Sequence, residues 1–160
     1  MLTCLPMSLC SGNYRISGAA AGPGTLTFFW MSEQGEIVMG SDTCSVRKHG
    51  IASGTWTLEL EGKVIARAEK PSAMFRQFDI HFEGRQFELR AISAFARSFE
   101  LSEGGRQVGT IAPAHAFTRR ASVDCEDSVP EWVQLFAFWL VALMWRRAKN
   151  SSNSAAAAST

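Results

Sequence analysis

Apolar and polar residues alternate singly through the middle of this chain, and turn residues punctuate the alternation at nearly even intervals. Before Gly84, Phe78, Ile80 and Phe82 fall on one face and Asp79 and His81 on the other; after it, Phe87, Leu89 and Ala91 continue the apolar face opposite Gln86, Glu88 and Arg90. Trp56, Leu58 and Leu60 repeat the pattern against Thr57, Glu59 and Glu61. A period of two is the signature of half-buried β-strands. The punctuation is Glu33-Gln34-Gly35-Glu36, Glu61-Gly62-Lys63, Glu83-Gly84-Arg85 and Glu103-Gly104-Gly105-Arg106, each with a glycine able to take the positive φ of a tight hairpin. The last three turns recur every 21 to 22 residues or so, one strand-turn-strand unit. Such a sheet has one apolar face, which must be buried against another sheet or inside a closed barrel.

The pattern breaks at Trp132–Trp145 (WVQLFAFWLVALMW), where Gln134 is the one polar side chain and no charge occurs. A helix apolar all round must be hidden on every side, by a membrane or by protein. Pro130 suits a first helical turn. Asp124, Glu126, Asp127 and Glu131 before the segment and Arg146, Arg147 and Lys149 after it complement the helix macrodipole. Fourteen residues rise about 21 Å, short of a hydrocarbon core of about 30 Å but close to the roughly 20 Å of a six-residue strand. The flanking charges also run against the positive-inside rule for a tail anchor. These arguments favour a helix over 130–148 threaded through the sheet, with Trp132, Phe136, Trp139, Leu140 and Leu143 at its centre. The other reading is a membrane-tethered β domain with a single transmembrane helix.

The expected fold is therefore mostly β: an antiparallel closed barrel of about 10–12 strands in hairpins, enclosing one C-terminal hydrophobic α-helix. The barrel occupies 25–149. Residues 1–24, ending in SGAAAGPG, read as a loose leader without a secretion signal, and 150–160 as a disordered low-complexity tail.

This arrangement resembles the tubby-like barrel superfamily, which includes the tubby C-terminal domains, the phospholipid scramblases and the LURP-one-related proteins. The residues that carry the resemblance are the turns at Gly35, Gly62, Gly84 and Gly104, the segment GTWTLELEGKVIARAEK from Gly54 to Lys70, and VPEWVQLFAFWLVALMWRRA from Val129 to Ala148. They cover most of the chain, and the similarity is greatest to short bacterial LURP-one or scramblase-like members. It implies a closed barrel around a central C-terminal helix, and a non-enzymatic domain that binds a lipid headgroup or a protein partner. The meander supplies nearer ten strands than the twelve of that family. No acidic calcium-binding segment of the scramblase type is present, so calcium-activated lipid scrambling is not implied.

Composition narrows the chemistry. A net charge of +1 and an apolar content of 46% describe an ordinary globular chain, without the basic face that duplex DNA calls for, so no nucleic-acid partner is expected. Cys4, Cys10, Cys44 and Cys125 are scattered without metal-ligand spacing; free thiols and a cytoplasmic protein, peripheral to a membrane if it binds lipid, are the expectation, with single-pass insertion as the alternative. His49, His81 and His115 have no metal partner at helical or strand spacing, and no phosphate-binding or dinucleotide fingerprint occurs, so no metal or cofactor is expected. A further reading is a small enzyme using Cys44 or Cys125 with a histidine brought close in space. A weak repeat, Phe75-Arg76, Phe95-Ala96-Arg97 and Phe117-Thr118-Arg119, sits midway between the turns. Either the aromatics return to the core and the arginines mark the rim, or Arg76, Arg97 and Arg119 form an anion-binding or lipid-binding rim.

Overall fold

The computed structural model describes residues 1–8, 12–29, 32–50, 54–72, 75–93, 96–115 and 118–157, the last six without their side chains. Twelve strands form one closed antiparallel barrel: β1 (Leu2–Pro6), β2 (Tyr14–Ser17), β3 (Gly24–Phe28), β4 (Gly35–Met39), β5 (Asp42–His49) and β6 (Thr55–Leu60), then β7 (Lys63–Glu69), β8 (Gln77–Phe82), β9 (Arg85–Ala91), β10 (Phe99–Glu103), β11 (Arg106–Pro113) and β12 (Ala121–Cys125). Each strand pairs with the next, and β1 closes on β12 through Leu2↔Val123 and Cys4↔Ala121. The helix α1 (Glu131–Ala157) follows.

Alternation decides what lies inside. Trp56, Leu58, Phe78, Ile80, Phe82, Phe87 and Leu89 are all buried, as their spacing requires. They face α1, where Val133 and every residue from Leu135 to Leu143 are buried. Phe136, Trp139, Leu140 and Leu143 sit on the barrel axis, and Trp132 is half-buried at the entrance. Phe28 stacks on Trp139 with ring centroids 4.6 Å apart, and Tyr14 meets Phe138 edge-on at 5.0 Å. From Leu135 to Leu143 the segment is hidden by protein on all sides, so the single-span reading of 132–145 is set aside. Among the described residues no helix is long and apolar enough to cross a membrane.

Both ends of α1 are tied to the wall. At its start, Glu131 Oε1 accepts from the Ala20 N–H at 2.7 Å, and Gln134, the lone polar residue of the stretch, donates to the Val129 carbonyl at 2.9 Å. At its exit, Trp145 Nε1 donates to the Arg97 carbonyl at 3.0 Å, and Arg146 to the Ser32 carbonyl at 3.1 Å.

Three expectations change. The segment 1–24 is no loose leader: it contributes β1 and β2, the hairpin that brings the strand number to twelve and closes the barrel. The helix does not stop at 148 but continues to Ala157, into the segment read as a disordered tail. Gly35 is not a turn residue: it pairs with Phe28 inside β4, where a Cβ would collide with the Thr27 carbonyl. The tight turns are where the pattern puts them, and in two of them Glu61 and Glu83 precede Gly62 and Gly84 with both residues at positive φ.

Because the meander is antiparallel, connections alternate between two ends. One end carries the turns 18–23, 40–41, 61–62, 83–84 and 104–105 and the link 126–130 into α1. The other carries the longer loops 7–13, 29–34, 50–54, 70–76, 92–98 and 114–120 and the exit of α1.

Candidate functional site

The two ends differ in charge. The long loops contain Lys70, Arg76, Arg97, Arg119 and Arg120 against the single acid Glu33, and α1 adds Arg146, Arg147 and Lys149 as it leaves. The connections at the opposite end contain Glu61, Glu83, Glu126 and Asp127 and no lysine or arginine. The loop end is therefore the more positive of the two.

The three arginines read from the sequence repeat all lie at this end, and each holds the neighbouring loop. Arg76 donates to the Ala96 carbonyl at 2.7 Å, Arg97 to the Thr118 carbonyl at 3.1 Å and Arg119 to the Ser8 carbonyl at 3.1 Å. Their guanidinium carbons lie over the rings of Phe99, Trp145 and Tyr14 at 5.0, 5.0 and 5.9 Å. The repeat is thus a chain of latches from one hairpin to the next, each packed on an aromatic of the core. The aromatics within the repeat are not those packing partners: Phe75 is exposed, and Phe95 and Phe117 lie outside the described residues.

Arg119 also opens onto a cleft of about 610 Å³ on the outer wall, lined by Leu5, Pro6, Met7, Ser8, Arg15, Thr118, Arg119 and Arg120. Strand register explains why three arginines converge there. Leu5 pairs with Arg15 across β1 and β2, and on its other side Cys4 pairs with Ala121, which sets Arg120 beside Leu5. Arg120, Leu5 and Arg15 form a row across three strands, two cations flanking an apolar ledge. Arg15 and Arg120 line the cleft, and among the described residues neither forms an ion pair. Planar guanidinium forks that share one cleft suit a phosphate or carboxylate.

Glu33, Lys48 and Arg147 at this end serve the fold. The Glu33 carboxylate accepts two bonds from Arg147, both 2.6 Å, and pairs with Lys48 at 2.7 Å. Partial burial pushes its carboxyl up, but the bonds from Arg147 and Lys48 outweigh that and hold it below the usual carboxylate range. On the outer wall, Thr57 is buried and donates to Glu59 at 3.0 Å, while Arg47 pairs with Glu59 at 3.0 Å. With its one proton given to Glu59, Thr57 accepts from His49 Nε2 at 2.7 Å. In this arrangement His49 is a donor, not a base for the hydroxyl.

The cysteines show no sign of activation. Burial pushes the Cys4 thiol up to about 12; burial together with Asp42 pushes Cys44 up to about 11, and burial with Asp124 does the same for Cys125. All three are free thiols, with Cys4 and Cys44 in the core; Cys10 lies outside the described residues. His81 and His115 are exposed. Among the described residues no group of histidine, cysteine and carboxylate side chains is placed to hold a metal.

Arg15, Arg120, Leu5 and Met7 were not marked by the sequence. Arg15 and the β1 residues fall in the segment that reads as a leader, and no periodicity reveals that β1 closes on β12. Of the arginines on this cleft, the sequence repeat marked Arg119 alone. No family model, curated protein or solved structure matches the chain.

Proposed function

We propose that this chain is a non-enzymatic barrel of the tubby-like type, close to the LURP-one-related and scramblase-like proteins, and that the Arg15–Arg119–Arg120 cleft binds a phosphate-bearing headgroup. The fold supports the family reading: twelve antiparallel strands closed around a C-terminal apolar helix are the architecture the resemblance implies. The observation that carries the binding reading is the row of Arg120, Leu5 and Arg15, with Arg119 beside it on the same cleft. The barrel interior is filled by α1, so a ligand must be met on the outer surface, and this cleft concentrates cationic donors there. Phosphate carries up to three acceptor oxygens within reach of two or three guanidinium forks, which gives charge-assisted bonds from several directions.

Inorganic pyrophosphate is a direct probe. Titrated into the protein, it is expected to shift the arginine Nε–H resonances of Arg15, Arg119 and Arg120 while those of Arg76 and Arg97 stay in place. The paired change Arg15→Ala and Arg120→Ala removes two exposed cations, leaves the fold intact and weakens binding by about tenfold or more. Shifts centred on Arg76 and Arg97, or no shift of any arginine, would remove the cleft from consideration.

A further inference from the structure

We infer that the cleft is a clasp on the closing seam of the barrel. An anion held there bridges the hairpin β1–β2 to the body of the barrel, and the hairpin swings out far more often when the cleft is empty. The inference rests on the headgroup reading of the cleft and adds its regulation: the ligand decides whether the barrel is closed.

The hairpin is a unit of its own. β1 and β2 pair from Thr3↔Ser17 to Pro6↔Tyr14, and the Met7 N–H donates to the Asn13 carbonyl at 2.9 Å. Its two outer ladders are the shortest among the described residues. β1 meets β12 over Leu2–Cys4 and β2 meets β3 over Tyr14–Ile16, whereas β5 pairs with β6 along the whole run from Cys44 to His49. In the connection 18–23 to β3, Gly18 and Gly22, both at positive φ, bracket three alanines, so the chain can change course at either end of them. What holds the hairpin down is the burial of Leu2, Cys4, Tyr14 and Ile16, with single bonds from Arg119 to the Ser8 carbonyl and from the Phe28 N–H to the Asn13 side chain. Segments held by short ladders open ahead of the whole fold.

The cleft lies across this seam. Of its lining residues, Leu5 to Ser8 and Arg15 belong to the hairpin, and Thr118 to Arg120 to the approach to β12. The site therefore exists only while the hairpin is docked. Docking also brings the charge of Arg15 toward those of Arg119 and Arg120, with no acid among the described lining residues. Two strand spacings, about 10 Å, separate the backbones of Arg15 and Arg120, a distance at which like charges still repel at low salt. An empty cleft thus carries repulsion across the seam, and an anion between the guanidinium groups replaces it with attraction to both sides. A ligand that binds only the closed form multiplies the closing equilibrium by 1 + [L]/Kd. An open seam leaves the facing edges of β12 and β3 without their partners, so the empty barrel presents strand edges that the occupied one conceals.

The test follows Cys4, on the core side of β1, against Cys44, on the core side of β5; both thiols are free and fully buried. The full chain in a Cys10→Ser background is treated with iodoacetamide at low salt, in urea below its main unfolding transition, and labelling at each position is read by mass spectrometry. Cys4 is expected to react at least about tenfold faster than Cys44, and inorganic pyrophosphate at about ten times its Kd is expected to slow Cys4 about tenfold. The paired change Arg15→Gln and Arg120→Gln removes the charge on both sides of the seam and keeps most of each side chain. Without pyrophosphate this variant is expected to label Cys4 more slowly than the parent, and the slowing by the same pyrophosphate concentration should fall to about twofold or less. Equal rates at Cys4 and Cys44, or faster labelling of Cys4 in the paired variant, would overturn the inference. So would a Cys4 rate indifferent to pyrophosphate that shifts the Arg15, Arg119 and Arg120 resonances, a result that leaves the headgroup reading standing. If pyrophosphate shifts no arginine resonance, the headgroup reading falls and the clasp with it.

Discussion

Changing Glu33 to glutamine removes one negative charge from the point where the central helix leaves the barrel. The carboxylate accepts two bonds from Arg147 and pairs with Lys48, and the side chains of the three residues are 26%, 35% and 21% exposed. Bonds to charged groups are worth about 1.5–3 kcal/mol each when shielded. Arg147 and Lys48 regain water in the variant, so the net loss is expected to be about 2 kcal/mol rather than the sum of three contacts. For a chain of this size that is a fall in Tm of about 4–8 °C. The pH dependence is the more specific sign. The folded carboxyl has a lowered pKa, so its contribution is complete above the unfolded value of about 4.3 and is lost as pH falls through the lower folded value. Thermal melts of parent and variant followed by circular dichroism from about pH 7 to about pH 3 should therefore converge at the acid end. Equal Tm values at neutral pH, or a gap that stays constant into acid, would refute the idea that Glu33 clamps the helix through its charge.

Other outcomes follow from the packing. Trp139→Asp sets an unpaired charge against Phe28 on the barrel axis; a cost of several kcal/mol against a total of about 5–15 should abolish soluble, cooperatively folded protein, and a cooperative thermal transition in this variant would contradict the enclosed helix. Gly35→Ala forces a methyl group onto the Thr27 carbonyl in the β3–β4 ladder, so it should lower Tm by several degrees in the same melts, an effect of about 1–3 kcal/mol. In a Cys10→Ser background, Cys4, Cys44 and Cys125 should stay unreactive toward an aromatic disulfide reagent in native buffer near neutral pH and all react in guanidinium; a fast native thiol would revive a nucleophilic cysteine.

Strands β6, β8 and β9 were legible because apolar and polar residues alternate along them, and the turns after β6, β8 and β10 because each holds glycine between polar residues. The helix was legible because fourteen residues with no charge must be wrapped, and their length fits a strand better than a bilayer. The first hairpin was hidden for a physical reason. β1 and β2 are four or five residues long, too short to build a convincing period, and β2 is followed by small residues that resemble a linker. Their strand character comes from pairing with β12 and β3, which is a non-local effect. Gly35 was misread because a turn and a close backbone approach select the same residue. At the candidate site, the Phe-Arg repeat marked three arginines that all lie at the loop end of the barrel. It could not show that Arg76 and Arg97 turn onto core rings, nor that chain closure brings Arg15 and Arg120 to either side of Leu5.

The claim that the arginine cleft of this barrel binds an anionic, phosphate-bearing headgroup is tested most directly by flotation of the intact, unlabelled chain with lipid vesicles. The account predicts that the protein rises with vesicles containing phosphatidylserine, stays behind with phosphatidylcholine alone, and is released from the former as salt screens the arginines. Protein that remains in the dense fraction with both kinds of vesicle would contradict it.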